Sequence, residues 1–485
     1  MLKNSALLSG ISLLVLLSSI LYVAYKCYLR DKHALSLLMV FLFGLISRIF
    51  VSLFPNLHSW DERFHALSAK NISAPHYFPY LYKSHFINWN NKDWMLETVW
   101  IHKPPLLSYI LKLSMLLLGN TAFAVRFPSL LISSFLIIVL YYLAFELFGN
   151  RFIAIISAFL LAVNGFIIEL SGGLLPTDHF DIFLMCFCTI AVYFLVRNIN
   201  QRKLSNYILA AVFIALAFSV KLFTSFFVFY LLLFIDVFVS KLSLKEVVKN
   251  FSITCFVFLL IVVPTTYLTQ LHSNGTFFSS FYQLLEHATK VYDQGGPWYF
   301  YLNKIRINYG EGIYVYLILS IVFLYYNRKE PKVVLLITWI AIPIAIFSMS
   351  ETKMPGYILI TAPAFFILYG FISSWILQNY RSKYAQWFII ITIFVMPLRY
   401  TIERLKPFTN YIQMYQDHKI YLSQLRALDS KSIVLNDSRS IETMYFSNAT
   451  SYNYQATGNE IDSLQRIGYK VFKVLDQGAY TIEPY

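Results

Sequence analysis

Charge is what this sequence has least of. Of its 485 residues only 13% are Asp, Glu, Lys or Arg, against about 25% in a soluble globular chain. A surface so poorly charged cannot be kept in water, which excludes a soluble enzyme or scaffold. Cysteine is nearly missing. The four that occur (Cys27, Cys186, Cys188 and Cys255) sit in or beside apolar runs. Cys186 and Cys188 stand two apart on a helical pattern, where side chains do not face each other. Small buried apolar residues account for them better than a redox pair or metal site. Acidic residues are outnumbered, 25 to 39, giving a net charge of +14. The Lys and Arg are scattered through short loops between apolar runs, which is the pattern of topology signals. A basic groove for nucleic acid is not supported. No tandem repeat and no low-complexity tract interrupts the chain.

What is abundant is apolar surface. Hydrophobic residues make up 58% of the chain and the mean hydropathy is +0.59. Runs near the ~20 residues needed to cross a bilayer recur along most of the length. The first, from Leu7 to Tyr25, lacks a small-residue cleavage site after it and reads as a membrane helix, not a signal peptide. The expected class is a polytopic α-helical membrane protein of about twelve spans, at 5–25, 34–54, 122–148, 152–172, 177–197, 206–220, 222–239, 251–270, 311–326, 332–350, 356–377 and 384–400.

Residues 206–239 test that map. They are too few for two full spans at ~1.5 Å per residue. A single span would instead move the loop of Lys241, Lys245 and Lys249 to the opposite side from the other basic loops. Two short helices turning at Lys221 keep Lys26, Arg30, Lys32, Arg197, Arg202, Lys203, Lys241, Lys245, Lys249, Arg328, Lys329, Lys332, Arg381 and Lys383 on one side. That side is the cytoplasm by the positive-inside rule. The first outer loop, 55–104, and the second, 271–310, then face outward. Trp89, Trp94 and Trp100 in the first suit the headgroup layer. Segment 105–120 is apolar but short, and reads as interfacial or re-entrant. Past residue 401 the composition shifts. Ser432–Leu435 and Tyr469–Leu475 read as strands with a helix at Ile461–Ile467 between them, a small extracytoplasmic α/β domain over 401–485.

The chemistry gathers at the borders of these spans. Trp60-Asp61-Glu62-Arg63 opens the first loop. Ser59-x-x-Glu62 has the spacing of a capping box, which would account for the acids structurally. Alternatively Asp61 faces a water-lined cavity at the membrane border as a general base. His102-Lys103-Pro104-Pro105 closes the loop. Lys103 is either an interfacial lysine or, with its backbone fixed by two prolines, a phosphate clamp. His102 could donate to phosphate or bind a metal. Asp178 and Asp181 flank His179 at the start of a span. Thr177 could cap that helix, or the set could touch substrate or a cation. Lys221 lies at the hairpin tip. Lys353 lies in an outward loop beside Pro355, and His287 and Lys290 lie in the second outer loop. Lys103, Lys221 and Lys353, with Lys290 and Arg63 as additions, opposite Asp61 and Asp178, describe a site for a phosphate-bearing lipid beside a carboxylate base.

These motifs resemble a known family. The Trp-Asp-Glu start, His-Lys-Pro-Pro-Leu-Leu, Ala124-Val125-Arg126-Phe127-Pro128-Ser129 and Lys353-Met354-Pro355-Gly356-Tyr357, in that order, are similar to the GT-C glycosyltransferases. The branch resembled is that of protein O-mannosyltransferases and lipid A aminoarabinose (ArnT-like) transferases, over roughly residues 34–400. The resemblance implies a transmembrane catalytic domain at 34–400; the extra N-terminal span and basic loop at 1–33 lack a clear family counterpart, and composition sets apart the tail at 401–485. It implies an inverting enzyme that takes a sugar from a polyprenyl-phosphate donor on the outer face of a bacterial inner membrane. The acceptor would be lipid A, another glycolipid or a protein. Asp61, with Glu62 and Asp178, matches the family's catalytic acids. Lys103, Lys221, Lys353, Lys290 and Arg63 match the donor-phosphate side, and His102, His179 and His287 fall among substrate or cation contacts. These motifs assign no cofactor, and a divalent cation stays open. The family often has an acid where His102 stands and a His where Gly356 stands, and Arg63 comes one position early. A transporter or flippase for a lipid-linked or anionic solute is the alternative. It calls for charges near the bilayer midplane in two matching halves, where here they collect at one border.

Overall fold

A computed structural model of the chain describes residues 2–74, 77–82, 85–86, 98–100, 103–175, 179–272, 288–291, 294–326, 330–380, 382–405, 410–476 and 480–485. Asp178, His102, His287, Thr177, Trp89, Trp94, Arg328, Lys329 and Arg381 lie outside the described residues. Contacts divide the chain into two compact units. One comprises Met1–Ser9, Ser52–Pro128 and Pro407–Tyr485, the other Gly10–Val51 and Ser129–Lys406.

The second unit is helical. Among the described residues of the whole chain, nine helices are long and apolar enough to cross a membrane, or eleven with two bent pairs. Leu204–Val239 passes that test as one stretch of 36 residues, yet it folds back on itself. The Tyr207 hydroxyl donates to Asp236 Oδ1 at 2.8 Å, whereas one straight helix would separate them by about 43 Å. The reversal falls at Lys221 and Leu222, whose φ of +41° is a left-handed conformation. The apolar faces of the hairpin close on Phe258 of the helix Leu244–His272, whose ring lies 5.5, 5.9 and 5.3 Å from Phe218, Phe226 and Phe229. Counting this hairpin as two and each bent pair as one gives twelve candidate spans among the described residues.

Two spans are less regular than their hydropathy suggests. The stretch 152–172, expected as one helix, is Arg151–Val163 and Gly165–Ser171, bent by 52°. A break in hydrocarbon frees backbone groups that need partners. Asn164 Oδ1 accepts the Ile167 N–H at 2.9 Å and caps the second half. Arg48 donates to the Leu161 and Ala162 carbonyls at 3.2 and 3.4 Å and to Ser133 Oγ at 3.0 Å. The Thr401 hydroxyl takes the Val163 carbonyl. Further on, the expected outer loop 271–310 contains a helix, Phe300–Tyr309, joined at 112° to Gly312–Tyr326. The corner is Gly310, at φ +83°.

The first unit is built on a four-stranded sheet in the order β2-β1-β3-β4. The strands are β1 Ser432–Leu435, β2 Thr450–Ser451, β3 Lys470–Asp476 and β4 Tyr480–Pro484. β1 is parallel to β2 and β3, and β4 is antiparallel to β3. All of β1 is buried, and its side chains alternate between faces. Ile433 and Leu435 join a core with Phe64, Leu67, Leu81, Tyr82 and Trp100 of the first loop. Val434 faces Tyr421 and Leu425 of the helix Asn410–Leu425. The first loop and the tail therefore share one core. This corrects the reading of Trp100 as a headgroup-layer anchor. Its ring is 1% exposed and stacks on Phe64 at 5.8 Å, because a large apolar ring gains more from a packed interior than from an interface.

His418, on the helix Asn410–Leu425, packs its ring edge-on against Phe446 at 5.0 Å. Burial lowers its pKa to about 4, and Arg439 pushes the same way. The unfolded imidazole, ordinarily near 6.5, takes up a proton that the folded one refuses. Stability is therefore present above about pH 6.5 and drains as pH falls toward 4. Thermal unfolding of the whole chain should show a loss on the order of 1–2 kcal/mol between about pH 7 and about pH 5, solvent screening of the ring included. His418→Phe should flatten that slope, and an unchanged slope would remove His418 as its source.

Candidate active site

The first unit organises the start of the first loop around one buried ion pair. The helix Asp61–Asn71 begins at the acidic pair, but the expected capping box does not form: the N-cap is Trp60, without a side-chain cap bond. Glu62 turns inward instead. Arg126 Nε lies 2.6 Å from its Oε1 and Nη2 lies 2.9 Å from Oε2, in a two-pronged pairing. The His58 N–H donates to Oε2 at 2.6 Å. The remaining Arg126 donors go to the carbonyls of Phe54 and Asn56, each at 2.6 Å. Glu62 is 4% exposed and Arg126 1%. A flat guanidinium can meet a carboxylate and two carbonyls in this way, and an ammonium cannot.

Arg126 is held in turn by its own motif. Pro128 inside the helix Ala122–Phe148 has no N–H for the Ala124 carbonyl four residues back. Ser114 Oγ donates to that carbonyl at 2.6 Å. Ser114 belongs to the helix Leu106–Leu118, which starts directly after Lys103-Pro104-Pro105, with Pro105 as its N-cap. That helix packs on Asp61–Asn71, and Lys112 Nζ caps the Lys70 carbonyl at 2.8 Å. Asp61 and Lys103 thus stand at the starts of two helices of one unit that pack together, both partly buried. Arg63 is engaged with the tail, its Nη1 3.1 Å from Glu442 Oε2. Burial raises the Glu442 carboxyl, and Arg63 opposes that shift.

The second unit gathers another set. Asp181, in the first turn of Phe180–Gln201, meets Lys221, the last residue of Leu204–Lys221, at 2.5 Å. Their side chains are 2% and 14% exposed. Lys221 Nζ also lies 5.1 Å above the Tyr357 ring. Tyr357 follows Lys353, which is buried and donates to the Ser350 carbonyl. The loop carrying Lys353 pairs with the second outer loop: the Lys353 N–H donates to the Gln294 carbonyl at 2.9 Å, and Thr352 Oγ1 donates to the Lys290 carbonyl at 2.7 Å. Lys290 is exposed. His179 is buried, its ring edge-on to Phe180 at 4.8 Å. Among the described residues no group of three or more His, Cys, Asp or Glu is placed to hold a metal ion.

In the sequence Arg126 stands inside a motif that assigns it no role of its own. Proline at 128 was the available signal, since it announces a freed carbonyl nearby. Glu442 carried no signal at all, being 379 residues from Arg63.

Comparison with known proteins bears on this arrangement. Residues 102–267 match the model of the dolichyl-phosphate-mannose-protein mannosyltransferase family. The undecaprenyl phosphate-alpha-4-amino-4-deoxy-L-arabinose arabinosyl transferase of Wigglesworthia glossinidia brevipalpis is 23% identical over 57% of this chain and 50% of its own. A protein of the same description from Pseudomonas fluorescens is 23% identical over 54% and 47%. The chain spans about half the length of these curated relatives. The structure of ArnT from Cupriavidus metallidurans bound to undecaprenyl phosphate superposes with a TM-score of 0.64 at 14% identity. It covers 90% of this chain and 93% of that one. The oligosaccharyltransferase of Archaeoglobus fulgidus, tethered with an acceptor peptide, gives 0.56 at 11% identity over 93% and 70%.

The fold is that of a GT-C polytopic membrane protein with a small sheet-containing tail. Within that class the chain is similar to protein O-mannosyltransferases over residues 102–267 and to aminoarabinose transferases over about half its length.

The clamp makes a prediction of its own. Arg126→Met leaves the Glu62 carboxylate buried without its partner and should cost about 3–5 kcal/mol. Replacing Glu62 and Arg126 together by Met should cost clearly less, since no charge is stranded. Equal losses in thermal unfolding of the two variants would show that the pair is not what holds this segment.

Proposed function

We propose that this protein is a glycosyltransferase that moves a sugar from a polyprenyl-phosphate-linked donor to an acceptor, a glycolipid such as lipid A or a protein. It would act at the outer face of a bacterial inner membrane. The observation that carries the reading is the locked helix start. Both Glu62 oxygens are taken by Arg126 and the His58 N–H. The backbone of the next residue toward the N-terminus, Asp61, is thereby held by a buried pair. We therefore assign Asp61 as the base and Glu62 as the residue that positions it. The relatives named for undecaprenyl-phosphate-linked sugar transfer, and the likeness to an ArnT bound to undecaprenyl phosphate, support the donor class.

The reaction is a single displacement. The acceptor's nucleophilic atom attacks the anomeric carbon from the face opposite the phosphate, and Asp61 takes its proton. The bond between the anomeric carbon and the phosphate oxygen breaks with its electrons going to the phosphate, and the configuration at that carbon inverts. Charge grows on the departing phosphate, so fixed cations lower the barrier most when they strengthen toward the transition state. Lys103, Lys221 and Lys353 are assigned to that task, with Lys290 as an outer contact. A phosphate monoester leaves without a general acid, so cations suffice opposite the base. Asp178, His102 and His287 keep the roles that the family resemblance gives them. His179 is buried and kept as a substrate contact.

The decisive assay uses the full chain in liposomes with radiolabelled undecaprenyl-phosphate sugars and separated lipid and protein acceptors. Asp61→Asn should lower transfer by roughly 10²–10⁴-fold, the scale of a lost general base, while donor binding persists. Wild-type transfer by that variant would remove Asp61 as the base. The fraction that gains label identifies the acceptor class.

A further inference from the structure

The tail helix Ser440–Phe446 grips the Asp61 helix along its length. Near the start, Arg63 Nη1 meets Glu442 Oε2 at 3.1 Å, with side chains 19% and 5% exposed. At the other end, Lys70 Nζ donates to the Met444 carbonyl at 2.7 Å and to the Ser447 carbonyl. These are the unsatisfied acceptors at the end of the tail helix, where a cation also opposes the helix dipole. Between the two polar contacts, Phe64 and Leu67 share a core with Ile441 and Met444. The same tail helix reaches the other half of the clamp: the Tyr445 hydroxyl donates to the Thr121 carbonyl at 3.1 Å, just ahead of the helix that carries Arg126.

We propose that Arg63 and Glu442 are positioning residues, through which the tail domain holds the start of the Asp61 helix in its working orientation. This rests on the sugar-transfer reading and gives the tail a part in it. It also moves Arg63 away from the donor phosphate. To reach a phosphate the guanidinium would have to leave Glu442 and strand a buried carboxylate, and such a loss is heavily disfavoured. The consequence for catalysis is geometric, since a base displaced by a fraction of an ångström at its helix start loses alignment with the acceptor.

The test uses the full chain with Arg63→Gln, Glu442→Gln and the reversed pair Arg63→Glu with Glu442→Arg. Two readouts are taken: amide hydrogen exchange over residues 61–71, and steady-state transfer from an undecaprenyl-phosphate sugar. Each single variant should speed exchange in that helix and lower kcat by about 10–100-fold, with the donor KM within about twofold of wild type. The reversed pair should recover most of both. Unchanged exchange in Glu442→Gln overturns the proposal. So does a donor KM raised about tenfold in Arg63→Gln but not in Glu442→Gln, which would place Arg63 on the donor. If the single variants do not fold, recovery of folded protein by the reversed pair supports the proposal and failure to recover overturns it. If the wild type transfers no sugar yet Glu442→Gln loosens the helix, the holding role stands and the sugar-transfer reading falls.

Discussion

A carboxylate taken out of water has to keep its cation, and in this chain Glu62 keeps Arg126. The start of the first loop leans on that pair. Arg126 uses its remaining donors on the carbonyls of Phe54 and Asn56, so one side chain ties the approach to the helix, the helix itself and the motif after it. Breaking the pair would leave a buried charge on either side, which is why the segment has one arrangement and no cheap alternative. The rigidity passes to the neighbouring residue, Asp61, the residue proposed as the base.

The second unit solves a related problem without a sheet. Broken helices in an apolar setting release carbonyls and amides that water cannot reach. Arg48, Asn164 and Thr401 satisfy those at the break near residue 164. The Glu169 and Arg404 pair sits close by, partly buried. Lys221 is placed by the same logic. At a hairpin tip it needs an anion, and Asp181 supplies one. A cation already balanced in this way can be kept among apolar helices.

The tail is more than an appendage to the membrane part. Its central strand puts Ile433 and Leu435 on the face that takes Phe64, Leu67 and Trp100 from the first loop. Its helix Ser440–Phe446 bonds to Arg63, Lys70 and Thr121. The loop thus completes its hydrophobic core with residues more than three hundred positions away, which explains how so polar a stretch can place its side chains with any precision.

Much of the architecture was legible in the residues themselves. Apolar runs of spanning length, and the spread of Lys and Arg between them, are local signals, and they marked the spans and the hairpin at Lys221. β-branched runs at 432–435 and 469–475 marked two of the four strands. The short strands Thr450–Ser451 and Tyr480–Pro484 were missed, because edge strands owe their form to the neighbour they pair with. The acids and lysines at the span borders could be picked out as a group from residue type and position. Whether Glu62 caps a helix, acts as a base or pairs with Arg126 could not, since all three suit the same local spacing. Nor could Trp100 be assigned to a core or Arg63 to Glu442. Composition and periodicity determine what each segment can become. Burial and charge pairing between distant segments depend on which surfaces meet, and only the tertiary structure decides that.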